Sequence, residues 1–193
     1  MKKLIVAAVA MTALPQVAVA QNLPAPVIAV VDANRAASEC NACRTAVTQL
    51  QQQAQAVQTL RTQLSTPLQT EGQQLETAVR ALAGKQPDAA LTKRINDFRT
   101  KQQQAEQQVA GRVQTLERNQ AYAVQQINTR LGPAIEAVQA RRRATVVLDT
   151  GSVLKFSPSI DVTADVIAEL NRTLTSVATT APAQTQQQNP QGR

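Results

Sequence analysis

Histidine and tryptophan are missing from this 193-residue chain, and Tyr122, Phe98 and Phe156 are its only aromatic residues. Without histidine the chain lacks the side chain that most often works as a general base near neutral pH. Three aromatic rings are also too few to line a compact small-molecule pocket in the usual way. Cysteine occurs only at Cys40 and Cys43, and two thiols with no histidine cannot complete a zinc site. Phosphate-cradling glycine loops and nucleophile elbows are absent. Past the first residues no apolar run is long enough to span a bilayer. These absences point away from an enzyme, and no catalytic residue, cofactor or metal is assigned.

At the start, Lys2 and Lys3 precede an apolar stretch from Leu4 to Leu14, and Ala18-Val19-Ala20 supplies small residues before Gln21. This pattern predicts an export signal over residues 1–20, cleaved between Ala20 and Gln21. In a cell with two membranes the mature chain is then periplasmic. Losing the two lysines lowers the formal charge from +7 to +5. The chain stays basic and suits acidic partners or anionic surfaces.

Apolar residues then recur at alternating three- and four-residue steps, the period of a helix-packing seam. The first run includes Val47, Leu50, Val57, Leu64, Leu68, Leu75 and Leu82; the second includes Leu91, Ile95, Phe98, Val109, Leu116, Ile127 and Leu131. Between them, Gly84 can end one helix and Pro87 sits close to where the next begins. Folded at that turn, the runs mirror each other: Leu82 faces Leu91, Leu75 faces Phe98 and Leu64 faces Val109. Their polar interruptions align too, Glu71 with Gln102 and Arg61 with Arg112. The mirror predicts an antiparallel helical hairpin over residues 44–143 with its tip near 84–88. An arm of about 40 residues reaches roughly 60 Å. Pro67 predicts a kink in the first helix, and Gly132-Pro133 a bend or restart in the second.

The flanks read differently. Val27 to Val31 and Thr145 to Asp149 suit short strands, and Val153 to Phe156 suits a third after a turn at Thr150-Gly151-Ser152. Thr163 is expected to cap a final helix with an apolar face at Val166, Ile167 and Leu170. Asp32, Asp149 and Asp161 lie where turn and cap roles explain them. Residues 27–43 and 144–176 would then make a small head, and 177–193, rich in Thr, Pro and Gln, a disordered tail. So few strands leave open edges, which association of several copies would cover. The fold class is mainly α with a small β part: long antiparallel coiled-coil arms projecting from a small barrel-like head built by several subunits.

Val30-Val31-Asp32-Ala33-Asn34-Arg35, the Gln-rich hairpin, Val146-Val147-Leu148-Asp149 and the segment Asp161-Val162-Thr163-Ala164-Asp165-Val166-Ile167 together resemble the Skp/OmpH family of periplasmic chaperones. The resemblance covers roughly Val27 to Leu174. It implies a homotrimer with a central strand barrel and three helical arms around a cavity. It also implies an ATP-independent holdase for unfolded outer-membrane β-barrel proteins, able to meet anionic lipid or lipopolysaccharide. Glutamine here replaces much of the arm lysine common in that family, which weakens the electrostatic share of capture.

Three local features stay open at this level. Lys93, Arg94, Arg99 and Lys101 near the tip are candidates for client or lipopolysaccharide contact, although an ordinary solvated face accounts for such a cluster. Arg141-Arg142-Arg143 suits either bound anions or the negative end of its own helix. Cys40 and Cys43 suit a local disulfide or inert pair, an intersubunit link, or a redox dithiol, although no thioredoxin-like pattern surrounds them. The competing functions are an envelope structural or adaptor coiled coil and an exported thiol oxidoreductase using that pair. Nucleic acid is not expected as a partner, because an exported chain with so few aromatics suits it poorly.

Overall fold

The computed structural model describes residues 24–183. The export signal, its Ala20–Gln21 junction and the chain after residue 183 lie outside the described residues. In chain order the elements are β1 (Ile28–Val31), α1 (Ala33–Glu39), α2 (Asn41–Ala81), α3 (Ala89–Arg142), β2 (Val146–Asp149) and α4 (Thr163–Thr173). Short 3-10 turns at Thr150–Ser152 and Pro158–Ile160 separate the last two.

The two long helices form the hairpin. Helix α2 ends where Ala83 and Gly84 take positive φ values of 45° and 89°. Glycine enters that left-handed region without a Cβ clash, which lets the chain reverse. Asp88 starts α3, its carboxylate accepting the Leu91 N–H at 2.7 Å. Three ties hold the arms close to the mirrored register. Lys101 Nζ donates to Glu71 Oε2 at 2.9 Å, and Asn119 Nδ2 donates to Gln53 Oε1 at 2.8 Å. The Phe98 ring lies over Gly72, where an added Cβ would stand 3.4 Å from it.

Both prolines are carried inside continuous helices, Pro67 in the 41-residue α2 and Pro133 in the 54-residue α3. The expected restart at Gly132-Pro133 does not occur. A proline there removes a hydrogen bond at a cost of about 3 kcal/mol. Burial on either side offsets it: Ile127, Ala134 and Val138 pack into the head core, Val138 almost completely.

That core sits at the open end of the hairpin. Strand β1 pairs with β2 in parallel, from Ile28 with Val146 to Val31 with Asp149. The chain crosses to the other side of β1 near α4, where Val162 N–H donates to the Val30 carbonyl at 2.9 Å. Helix α4 lays Val166 and Leu170, both fully buried, against α1 and α3. The three aspartates serve turns and caps. Asp32 accepts from Arg35 N at 2.8 Å, Asp149 from Gly151 N at 2.8 Å and Asp161 from Thr163 N at 2.9 Å.

Two expectations for the head are corrected. Val153 to Phe156 is not a strand within one chain: the chain leaves β2 through the 3-10 turn at Thr150–Ser152 and next pairs with β1 at Asp161, so this segment does not return along the open edge of β2. Thr163 does not cap α4: Val162 holds the cap position, and the Thr163 hydroxyl instead accepts from Asp32 N–H at 2.9 Å, tying α4 to the end of β1.

The arginine run finds its anions within the chain. Arg141 reaches the largely buried Glu169 at 3.0 Å, and Arg142 reaches Asp165 at 2.6 Å. Arg143 takes the left-handed cap position at the end of α3, with φ 53°. Glu169 also accepts from Arg172, whose hydrogen bond, aided by the charges of Arg172 and Arg141, holds its carboxyl below the ordinary range against the opposing effect of burial. Hydrogen bonds from Thr163 lower Asp161 in the same way, with burial opposing and the Arg35 charge assisting.

Carboxylates lowered in the folded state add stability above their unfolded pKa and lose it as pH falls through the folded value. Thermal melts are therefore expected to be flat near neutrality and to drop below about pH 4. Glu169→Gln should lower the melting temperature at pH 7 and flatten that acid slope. Leu170→Ala, emptying a fully enclosed position, should cost about 2–5 kcal/mol in chemical denaturation.

Candidate functional site

A two-helix arm can cover only one stripe of each helix, so its seam side chains stay half-open wherever a third element is missing. Beyond the head this leaves an elongated apolar cleft of about 770 Å³ between α2 and α3. Leu64 and Leu68 form one wall, and Phe98, Ala105, Val109 and Val113 the other. Gly72 gives the Phe98 ring room, and small Ala105 lines the same α3 wall as that ring. Arg61 and Glu117 stand at the rim. Such a surface can hold apolar side chains of many shapes, and its charged rim can meet either sign.

The basic cluster near the tip divides in two. Lys93 pairs with Asp97 at 2.7 Å, and Lys101 with Glu71 at 2.9 Å. Arg94 and Arg99 are exposed and make no ion pair among the described residues. Half of the expected cation surface is thus paired within the chain, Lys93 along α3 and Lys101 across to α2.

Cys40 and Cys43 form a disulfide at the junction of α1 and α2, with Cα atoms 5.0 Å apart. Both are fully buried, and the Cys40 sulfur accepts the Cys43 N–H at 3.1 Å, capping α2. A dithiol oxidoreductase needs a sulfur that a substrate can reach. Here the pair lies in the head core beside Ala46 and Ala36. No group of three or more His, Cys, Asp or Glu side chains among the described residues is placed to hold a metal. None of the described helices is long and apolar enough to cross a membrane.

The tail departs most from expectation. Over residues 177–183 it is not a free coil but a strap without helix or strand that leaves α4, bends at Thr180 and lies on the hairpin. Leu174, Val177 and Thr179 are buried. Gln126 accepts Ala178 N–H at 3.0 Å and donates to the Ala178 carbonyl at 2.9 Å. Gln53 donates to the Thr179 carbonyl at 2.9 Å, and Asn119 accepts Ala181 N–H at 2.9 Å. Composition alone suggested disorder because a tail rich in Thr, Pro and Gln has little to bury. What holds it is amide side chains on the arm, and glutamine there reads from sequence as a solvated face. Asn119 was the one available signal, a polar residue falling between seam positions Leu116 and Ala123.

The head keeps an uncovered apolar surface. Val27, Ile28, Val146 and Leu148 are each more than a third exposed, and Leu154 is fully exposed. Val153 is extended, and Val153 to Phe156 stands beside this surface in sequence without a strand partner in the chain.

Residues 27–170 match the model of a family described as outer membrane protein (OmpH-like). The fold is similar to the crystal structure of a candidate outer membrane chaperone (OmpH-like) from Caulobacter crescentus CB15. That chain is 20% identical, with a TM-score of 0.67, the similarity covering 81% of this chain and 90% of that one. No curated protein sequence matches significantly.

Breaking the Cys40–Cys43 bridge tests its role. Releasing a four-residue loop should cost about 2 kcal/mol by chain entropy. Cys40→Ala with Cys43→Ala should therefore melt several degrees lower with its helix content at low temperature unchanged; an unchanged melting temperature would show that the bridge adds no stability.

Proposed function

The chain belongs to the OmpH-like outer membrane protein family, and on that premise we propose that it is an ATP-independent periplasmic holdase for unfolded outer-membrane β-barrel proteins. The observation that carries the reading is the long arm with an open apolar cleft, raised on a small head. A surface of this kind favours many weak contacts over one tight pocket. The chaperone description of the similar Caulobacter protein supports the same role.

In this reading the exposed head face and the unpartnered segment Val153 to Phe156 meet other copies of the chain. Three copies would complete a strand barrel, burying Leu154 and covering the open edge of β2, and would set three arms around a shared space. A client enters that space unfolded. Its apolar side chains meet the cleft, while its acids meet exposed arginines such as Arg94 and Arg99. Release follows when insertion into the outer membrane competes for the same apolar segments. Nothing in this cycle requires a chemical step, so the protein works as a binder and not as an enzyme. The same exposed arginines could also receive anionic lipid or lipopolysaccharide headgroups.

The test is light scattering of a urea-unfolded outer-membrane β-barrel protein diluted into buffer, with and without the mature chain and with no nucleotide. Near-stoichiometric chain is expected to keep the client soluble, and raising salt should weaken the electrostatic share while leaving apolar capture. Unchanged aggregation in the presence of folded chain would overturn the holdase and favour a spacer or docking role for the hairpin.

A further inference from the structure

Most of the polar contacts that hold the strap are made by its backbone. Gln126 pairs with both the N–H and the carbonyl of Ala178, as a neighbouring strand would. Gln53 and Asn119 take the Thr179 carbonyl and the Ala181 N–H. The two amides also bond each other at 2.8 Å, which fixes which way each one points. Only one strap side chain joins in, the Thr179 hydroxyl donating to Gln49 at 2.8 Å. Val177 and Thr179, two apart as in any extended chain, are the side chains turned inward and buried. A groove that reads backbone groups and small or β-branched side chains at alternate positions does not distinguish one extended polypeptide from another.

Among the described residues nothing fills the groove beyond the strap's bend at Thr180. Next to Thr180 it opens into a trough of about 510 Å³, with Val57, Leu60 and Leu116 on its walls. A longer extended segment could follow the same line along the arm.

We propose that this groove on α2 and α3 binds an extended segment of unfolded polypeptide through its backbone, and that residues 177–181 hold the place until a client segment displaces them. The inference rests on the holdase reading and gives it a defined contact site. Unfolded β-barrel proteins suit the groove, since their strands alternate small or polar with apolar residues over about ten positions. The tethered strap reduces the free groove to the fraction of time it is undocked, so apparent client affinity falls by that fraction.

The test uses the full chain carrying Ala178→Pro and Ala181→Pro. These changes remove the two strap N–H donors and leave every arm residue intact. Circular dichroism should match the parent. A fluorescent peptide of residues 174–183 is expected to bind this variant and to bind the parent about tenfold more weakly. A urea-unfolded outer-membrane β-barrel protein should also bind the variant about tenfold more tightly than the parent. Adding Gln53→Ala and Gln126→Ala to the variant should abolish peptide binding and return client affinity to the parent level or below. Failure of the peptide to bind the variant overturns the groove as a polypeptide site. Equal client affinity for variant and parent overturns the client as its occupant, while the holdase reading stands. Absence of client binding by either chain overturns both.

Discussion

Strands β1 and β2 are joined through more than a hundred intervening residues, and their parallel pairing is the tie on which the rest depends. Thr145 reaches back to Val27 at both its amide and its hydroxyl, the N–H donating to the Val27 carbonyl at 2.8 Å. Parallel strands always need a crossover connection. Here that connection is the whole hairpin. A two-helix arm alone buries too little to close itself, and a four-residue parallel pair alone would not persist in water. Each supplies what the other lacks: the hairpin returns the chain to its starting point, and the head clamps the ends of both helices.

The head makes that clamp from few residues by stacking different kinds of bond in one place. Leu170, Val166 and Val138 supply apolar burial, while Glu169 sits among them only because Arg141 and Arg172 neutralise it. Removing a charged group from water is expensive unless it is paired, so the ion pairs fix the position of α4 on α3 as much as they stabilise it. The disulfide performs a similar duty at the start of α2. What remains unsatisfied in the head is its apolar outer face, and what remains unsatisfied in the arm is its cleft. Under the proposed function the first would meet copies of the chain and the second an unfolded client.

Glutamine gives the arm its particular character. It favours helix and tolerates water, so a long arm can form with little core. Its amide also carries a donor and an acceptor on one planar group, which matches a peptide unit. Where glutamines and an asparagine cluster at Gln49, Gln53, Asn119 and Gln126, the same residue type that keeps the arm soluble becomes a surface for binding backbone.

The hairpin, its turn at Gly84 and its approximate register could be read from the sequence, because seam spacing and mirrored polar interruptions are local and periodic. The two strands and the cap roles of Asp32, Asp149 and Asp161 were legible for the same reason. Contacts between segments with no shared period were not. Sequence could place Arg141 and Arg142 at a helix end but could not show that Asp165 and Glu169 face them. Nor could it tell that the third apolar segment leaves the edge of β2 open, or that the Thr163 hydroxyl bonds to Asp32 and not to its own helix. The strap was hidden most deeply: its burial depends on amides more than fifty residues away, brought together only when two helices and the head have closed. Periodicity fixes which face of a helix is apolar, whereas the partner that covers that face is decided by the chain's return path through space.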